Sequence, residues 1–229
     1  MTATDLTVLK VFVGPDGRGG NPLGVFLDGS GIARDRRQGI AYELGFSETV
    51  FVDDPAAGRI QILTPARELP FAGHPSVGTS WLLHETGTPI ATLRPPAGDV
   101  PVRRDAERTW VAADPGWVAH AFEFVQLPSA PDVEAFRQPA MGEPGRYVWA
   151  WIDEEAGEVR SRSFPTDFGI LEDEATGLAA VMLSGRLGRD LTIRQGVGSE
   201  ILARLRPDGM VEIGGRVELV ERRPFVFAQ

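Results

Sequence analysis

Apolar positions along the chain fall mostly into short runs with a period near two. "LTVLKVFV" (6–13), "LGVFL" (23–27), "ETVFV" (48–52) and "RIQIL" (59–63) are rich in β-branched and aromatic residues and bounded by Gly, Pro or Asp, which predicts strands. "RYVWAWIDEEAGEVRSRSF" (146–164) predicts a hairpin turning at Glu-Glu-Ala-Gly. "ILARLRPDGMVEI" (201–213) predicts another, turning at Pro207-Asp208-Gly209, and "GGRVELVERR" (214–223) follows as a last strand.

Helical pattern is rarer. "ARDRRQGIAYELG" (33–45) is amphipathic, with Ile40, Ala41 and Leu44 on one side and Gly45 as its stop. Two further candidates, "PSVGTSWLLHETG" (75–87) and "EATGLAAVMLSGRLG" (174–188), show no wide polar face until their ends. A helix apolar all round is enclosed by other structure. Two such helices, each amid short strands, predict an α+β protein of two units. The segment 113–145, with several prolines and a mixed pattern, yields no clear element. The junction is placed there, giving domains 1–114 and 115–221.

Composition narrows the function. The chain has 229 residues, 32 acids against 23 bases and a formal net charge of −9, which argues against nucleic-acid and anionic-membrane partners. It has no cysteine, so disulfides, thiolate metal sites and cysteine-based acid/base pairs are excluded. The first residues lack a signal-peptide pattern and no apolar run reaches the ~20 residues of a membrane span. A cytoplasmic protein is expected.

Other chemistries lack their motifs. "GPDGRGGNPLG" (14–24) has no Gly-Lys-Ser/Thr ending and reads as a turn, not a phosphate loop. "HETGT" is not a His-Glu-x-x-His zinc motif, and no Gly-x-Ser-x-Gly elbow occurs. His84 and His120 have no companion motif.

The two enclosed helices invite comparison. Aligned on Gly78 and Gly177, "GHPSVGTSWLL" and "EDEATGLAAVM" set His74 over Asp173, each an ionisable residue four places before a glycine. The first turn of a helix presents unpaired N–H groups and a positive dipole end, and small residues let an anion approach them. Two such ends facing each other across a cleft are expected to hold a carboxylate between His74 and Asp173.

"GGNPLGVFL" (19–27), "LGFSETVFV" (44–52), "RIQILTPARELPFAGHPSVGTSWLL" (59–83) and "FGILEDEATGLAA" (168–180) resemble signature segments of the PhzF family, the phenazine-biosynthesis-like isomerases. "IRQGVGSEILARL" (193–205) with "VEIGGRVELV" (211–220) resembles that family's closing region. The resemblance implies a diaminopimelate epimerase-like fold: two similar domains, each a curled mixed or antiparallel sheet around a central buried helix, the first completed by 222–229. It implies a cofactor-independent isomerase, homodimeric, acting on a small carboxylate, with a glutamate moving a proton between substrate carbons. On that match Glu48 takes the place of the catalytic glutamate, and His74 and Asp173 those of the active-site His and Asp. Gly73 supplies a neighbouring backbone contact. Asn21, Ser47, Thr176 and Gly177 join it in lining the pocket. The family pattern Glu-Asp-Pro-x-Thr-Gly-Ser is altered here: Glu174 replaces the proline, and Leu178 replaces a serine that helps form the active site.

The residues alone leave each position open. Glu48 is either a wet acid at a strand's start or a carboxylate desolvated on the Val50 and Val52 face. His74 is either a substrate contact or a histidine satisfying backbone groups at a helix start. Asp173 at a helix N-terminus stabilises that helix without any further purpose. Nothing in the spacing of the three demands a metal. A non-catalytic small-anion binding protein, or a related epimerase or lyase, would use the same scaffold.

Overall fold

The computed structural model describes residues 2–118 and 122–227; His120 and residues 228–229 lie outside them. The first half of the chain carries β1 (Thr2–Val13), β2 (Gly19–Phe26), α1 (Arg34–Leu44), β3 (Glu48–Asp54), β4 (Arg59–Leu63) and β5 (Glu68–Leu69). It continues through α2 (Gly73–Glu85), β6 (Thr92–Leu93), β7 (Val100–Arg104) and β8 (Thr109–Ala113). The second half carries β9 (Glu123–Gln126), α3 (Ala130–Ala135), β10 (Arg146–Asp153), β11 (Glu158–Phe164) and α4 (Gly177–Leu187). It ends with β12 (Leu191–Gln195), β13 (Ser199–Leu205) and β14 (Val211–Phe227).

The fold is α+β. All the strands belong to one hydrogen-bonded network, whose main path runs β5-β4-β3-β2-β1-β14-β13-β12-β11-β10-β9. Moving outward from β14, both directions repeat an antiparallel, parallel, antiparallel order: β1/β2, β2/β3, β3/β4 on one side and β13/β12, β12/β11, β11/β10 on the other. β14 serves both halves. Its residues 211–214 pair with β13 and 211–215 with β8, whereas 216–227 pair with β1.

The strand after Pro207-Asp208-Gly209 does not stop at Gly214-Gly215, as the glycine pair suggests; it runs on unbroken for 17 residues. The reason is steric. A side chain at Gly214 would meet the Trp110 ring and one at Gly215 the Phe12 ring, so the bare backbone admits two aromatics. A bridge between Arg59 and Arg94 sets the end of β6 against β4, and the first half's strands thereby curl around α2.

Each apolar helix is enclosed, as its composition requires. In α2 every residue from Gly73 to Ser80 is buried, with Leu82 and Leu83; in α4, Gly177 and Ala179 to Ser184 are buried. One apolar cluster joins Val77 and Leu83 to Val181, Ile201 and Ile213 across the two halves. Fully burying a Val, Leu or Ile is worth roughly 1.5–3 kcal/mol. α2 begins at Gly73, two residues before Pro75, and α4 at Gly177, three after Glu174, so both helix starts differ from their sequence assignments. No helix among the described residues is long and apolar enough to cross a membrane.

Candidate active site

Gly73 and Gly177 open the two enclosed helices, and they touch. A Cβ built on Gly73 would lie 2.7 Å from the Gly177 Cα, and one on Gly177 2.9 Å from the Gly73 Cα. The helix starts therefore meet directly and do not face each other across a gap. This also corrects the internal alignment: Gly73, not Gly78, is the spatial counterpart of Gly177. Gly78 lies within α2 against Leu23 and Val11. Small residues recur along both segments for packing reasons, which is why the letters alone set the wrong register.

A cleft of about 270 Å³ opens beside this junction. The first half lines it with Glu48, Arg67, Phe71, Gly73 and His74; the second adds Phe122, Phe168, Ile170, Asp173, Thr176, Gly177 and Leu178. Glu48, His74 and Asp173, far apart in sequence, thus share one hollow. Among the described residues no three His, Asp or Glu side chains are placed to hold a metal ion.

Glu48 starts β3, paired in parallel with Leu23 of β2, and is 9% exposed. Burial pushes its carboxyl up to about 8, helped by the charge of Asp173 and opposed by the Ser47 hydroxyl. Its Oε2 stands 3.2 Å from His74 Nδ1, but the pair is not aligned for a hydrogen bond, and Oε2 has no hydrogen-bond partner among the described residues. His74 is 2% exposed. Burial lowers it to about 3 against a pull from the Pro22 carbonyl, so it is a neutral imidazole, and its Nε2 also lacks a hydrogen-bond partner among the described residues.

Asp173 is held differently. Its backbone N–H donates to the Ser163 carbonyl at 2.9 Å. Asn21 Nδ2 donates to its Oδ1 at 2.7 Å and Thr176 Oγ1 to its Oδ2 at 2.6 Å. Burial raises its carboxyl to about 6; the Thr176 and Asn21 hydrogen bonds act against that, and the Glu174 charge adds to it.

Asn21 and Ser47 do not line the cleft, contrary to expectation. They stand behind Asp173, where Asn21 also donates to the Ala175 carbonyl at 3.0 Å and accepts from Ser47 Oγ at 3.1 Å. Both border a separate, shallower hollow with Pro22, Phe46 and Glu174. Thr176, Gly177 and Gly73 do line the cleft.

Two features of the site have no counterpart in the sequence reading. Arg67 stands at the rim with its guanidinium 4.2 Å from the centre of the Phe168 ring, and among the described residues it forms no ion pair. Gln195, 1% exposed at the end of β12, bonds to both Asp173 and Thr176. Its only signal was an amide next to the turn "GVGS", which reads as a strand end in water.

The family model described as phenazine biosynthesis-like protein matches residues 11–116. Trans-2,3-dihydro-3-hydroxyanthranilate isomerase of Pseudomonas aeruginosa is 31% identical over 248 residues, covering 88% of this chain and 89% of the relative. The crystal structure of a PhzF-family phenazine biosynthesis protein from Bacillus anthracis matches at a TM-score of 0.78 and 20% identity, covering 99% of this chain and all of that one. A Pseudomonas aeruginosa protein described as a predicted epimerase matches at 0.75 and 26% identity, over 98% of this chain and 100% of its own. With a relative aligned along nearly its whole length and the same fold in solved structures, the chain belongs to the phenazine biosynthesis-like (PhzF) family and is an isomerase.

Proposed function

We propose that this isomerase moves a proton between two carbons of a small carboxylate substrate without a cofactor, with Glu48 as the acid/base. One observation carries the reading. Glu48 Oε2 and His74 Nε2 are buried polar atoms without hydrogen-bond partners among the described residues, on neighbouring residues that line a largely apolar cleft. An unsatisfied buried polar atom costs about 1–3 kcal/mol, and a ligand placed there relieves the cost.

A carboxyl group pushed up to about 8 holds both protonation states within reach near neutrality. Glu48 takes a proton from one carbon and returns it to another, so the substrate's composition is unchanged. His74, neutral, supplies a hydrogen-bonding nitrogen rather than a charge. First-turn N–H groups at the meeting helix starts, Gly73 and Gly177, receive the substrate's carboxylate, and Arg67 adds a positive charge at the rim. Asp173, held by Asn21 and Thr176, orients the substrate. The cleft draws on both halves of the chain, which we read as domains 1–114 and 115–221.

Deuterium wash-in tests the reading directly. The protein is incubated in D₂O with cyclohexadiene carboxylates, trans-2,3-dihydro-3-hydroxyanthranilate first, and isotope uptake at carbon is followed by NMR. Uptake by the wild type that falls about 10²–10⁴-fold in Glu48→Gln is the expected result. A Glu48→Gln protein within twofold of wild type removes Glu48 from the chemistry.

A further inference from the structure

Four hydrogen bonds behind the cleft turn on one side chain. Gln195 Nε2 donates to the Asp173 carbonyl at 2.8 Å and to Thr176 Oγ1 at 2.9 Å. Its Oε1 accepts from the Thr176 backbone N–H at 3.3 Å and from the Tyr147 hydroxyl at 3.4 Å. The amide orientation is fixed by this set, because only its oxygen can receive the N–H of Thr176 and only its nitrogen can serve the Asp173 carbonyl.

The consequence lies in the hydroxyl of Thr176. A hydroxyl has one proton. With Gln195 donating to its oxygen, Thr176 spends that proton on the other close partner, Asp173 Oδ2 at 2.6 Å. Asn21 supplies a donor to Oδ1. Both oxygens of Asp173 thus receive hydrogen bonds that favour its ionised form, whereas Glu48 has only the Ser47 hydroxyl to do so and, among the described residues, its Oε2 receives none.

We propose that Gln195 is a positioning residue which, by locking the Thr176 hydroxyl as a donor to Asp173, decides that Glu48 rather than Asp173 keeps the proton of the buried acid pair. This deepens the proton-transfer reading and rests on it for its catalytic meaning, but the proton's location stands on the geometry alone. Among the described residues, the charged and titratable groups facing Asp173 are Glu48 on β3, His74 on α2, Glu174 beside it and Tyr147 on β10. Neither His74, neutral from burial, nor the Tyr147 phenol, pushed up by burial, brings a charge that would compete. Glu174 opposes the ionisation of Asp173, so the Asn21 and Thr176 donors act against both that charge and burial.

The test needs no turnover. Carboxyl carbons of ¹³C-labelled protein are titrated by NMR, with the Asp173 and Glu48 signals assigned through Asp173→Asn and Glu48→Gln. In Gln195→Met, which keeps side-chain length and removes every hydrogen bond, the lower apparent pKa of the pair rises by about one unit, the scale of one hydrogen bond to a charge. Thr176→Val gives the same rise. In the double variant Gln195→Met adds nothing further, because its path to Asp173 runs through a hydroxyl that is gone. A Gln195→Met titration that overlays wild type, or a shift that adds in full on top of Thr176→Val, overturns the proposal. Should Gln195→Met not fold, Thr176→Val decides: an unmoved titration there also overturns it. Failure of deuterium wash-in leaves these titrations unaffected, so the two readings fail separately.

Discussion

The two helix starts that meet at Gly73 and Gly177 carry opposite kinds of polar group. At α2 the ring of His74 and, beside it, the carboxyl group of Glu48 face the cleft with one atom each lacking a hydrogen-bond partner among the described residues. At α4 the carboxylate of Asp173 is bonded on both oxygens, and its carbonyl and amide are bonded as well. Burial is nearly equal for the three, at 9%, 2% and 6% exposure for Glu48, His74 and Asp173. What differs is satisfaction. A buried group with all its partners is a fixed part of the frame, whereas one left open is a debt that only a ligand or a proton settles. The first half of the chain therefore offers the open atoms and the second half offers the fixed one.

The largest effect expected from this contrast is a difference in sign. Glu48→Gln stabilises the folded protein by about 1 kcal/mol at pH 8, because a buried carboxyl without an aligned donor is replaced by a neutral amide. Asp173→Asn destabilises it by about 1–3 kcal/mol, since the new amide nitrogen faces donors on Asn21 or Thr176. Urea unfolding of both variants at that pH measures the pair. Two shifts of the same sign would mean that the acids are held alike, and the comparison would collapse.

The pH dependence of stability sharpens the same point. Folded Glu48 keeps its proton to about 8 while the unfolded chain releases it near 4.5, so stability falls as pH rises through that window. Asp173, raised from 3.8 to about 6, adds to the fall between those values. His74 acts oppositely. Its ring stays neutral down to about 3 against 6.5 unfolded, so stability is lost as pH drops from 6.5 toward 3. Above pH 6.5 the Asp173 and His74 contributions die away with opposite signs, and Glu48 dominates the slope. The unfolding free energy of wild type, from urea titration, should decline from pH 6.5 to 8 by at most about 1.4 kcal/mol per pH unit, and Glu48→Gln should flatten that decline. A wild-type profile flat across this range would place Glu48 among ordinary carboxylates.

What the sequence makes legible follows from how local the cause is. "RIQIL" is a strand over the residues the alternation marks, and both hairpins turn where Glu-Glu-Ala-Gly and Pro-Asp-Gly stand. Gly45 caps α1 in the left-handed conformation, its N–H on the Ala41 carbonyl. β6 to β9 and α3 escape the pattern: "VPVRR", for one, is only partly buried and mixes a proline and two arginines into its alternation, although both its partners, β6 and β8, are its neighbours along the chain. The helix starts were displaced because Pro75 and Glu174 look like first-turn residues, whereas glycine contact between the halves sets the true ends. For the site, a motif resemblance pointed to Glu48, His74 and Asp173, and the cleft contains all three. Gln195 was beyond reach: its neighbours Thr176, Asp173 and Tyr147 come from other elements, and a lone glutamine carries no pattern.

The smallest expected effect concerns Glu174, which stands where the family pattern has proline. Its carboxylate accepts from the Val197 backbone N–H at 3.0 Å and from Ser199 Oγ at 2.7 Å. Ser199, having given its proton to Glu174, accepts the Gly20 N–H at 2.8 Å, one residue from the Asn21 that bonds Asp173. The turn after β12 is thereby fastened to β2 behind the fixed wall of the site. If hydrogen bonding is what Glu174 contributes, Glu174→Gln, which keeps an acceptor oxygen, unfolds within about 0.5 kcal/mol of wild type. Glu174→Ala, which keeps none, loses about 1 kcal/mol. Glu174→Gln also removes a negative charge facing Asp173, so the Asp173 carboxyl moves down in the same titration. Equal losses in both variants would assign Glu174 to charge alone, and the fixed half of the site would then rest on Gln195 and Asn21 without this outer fastening.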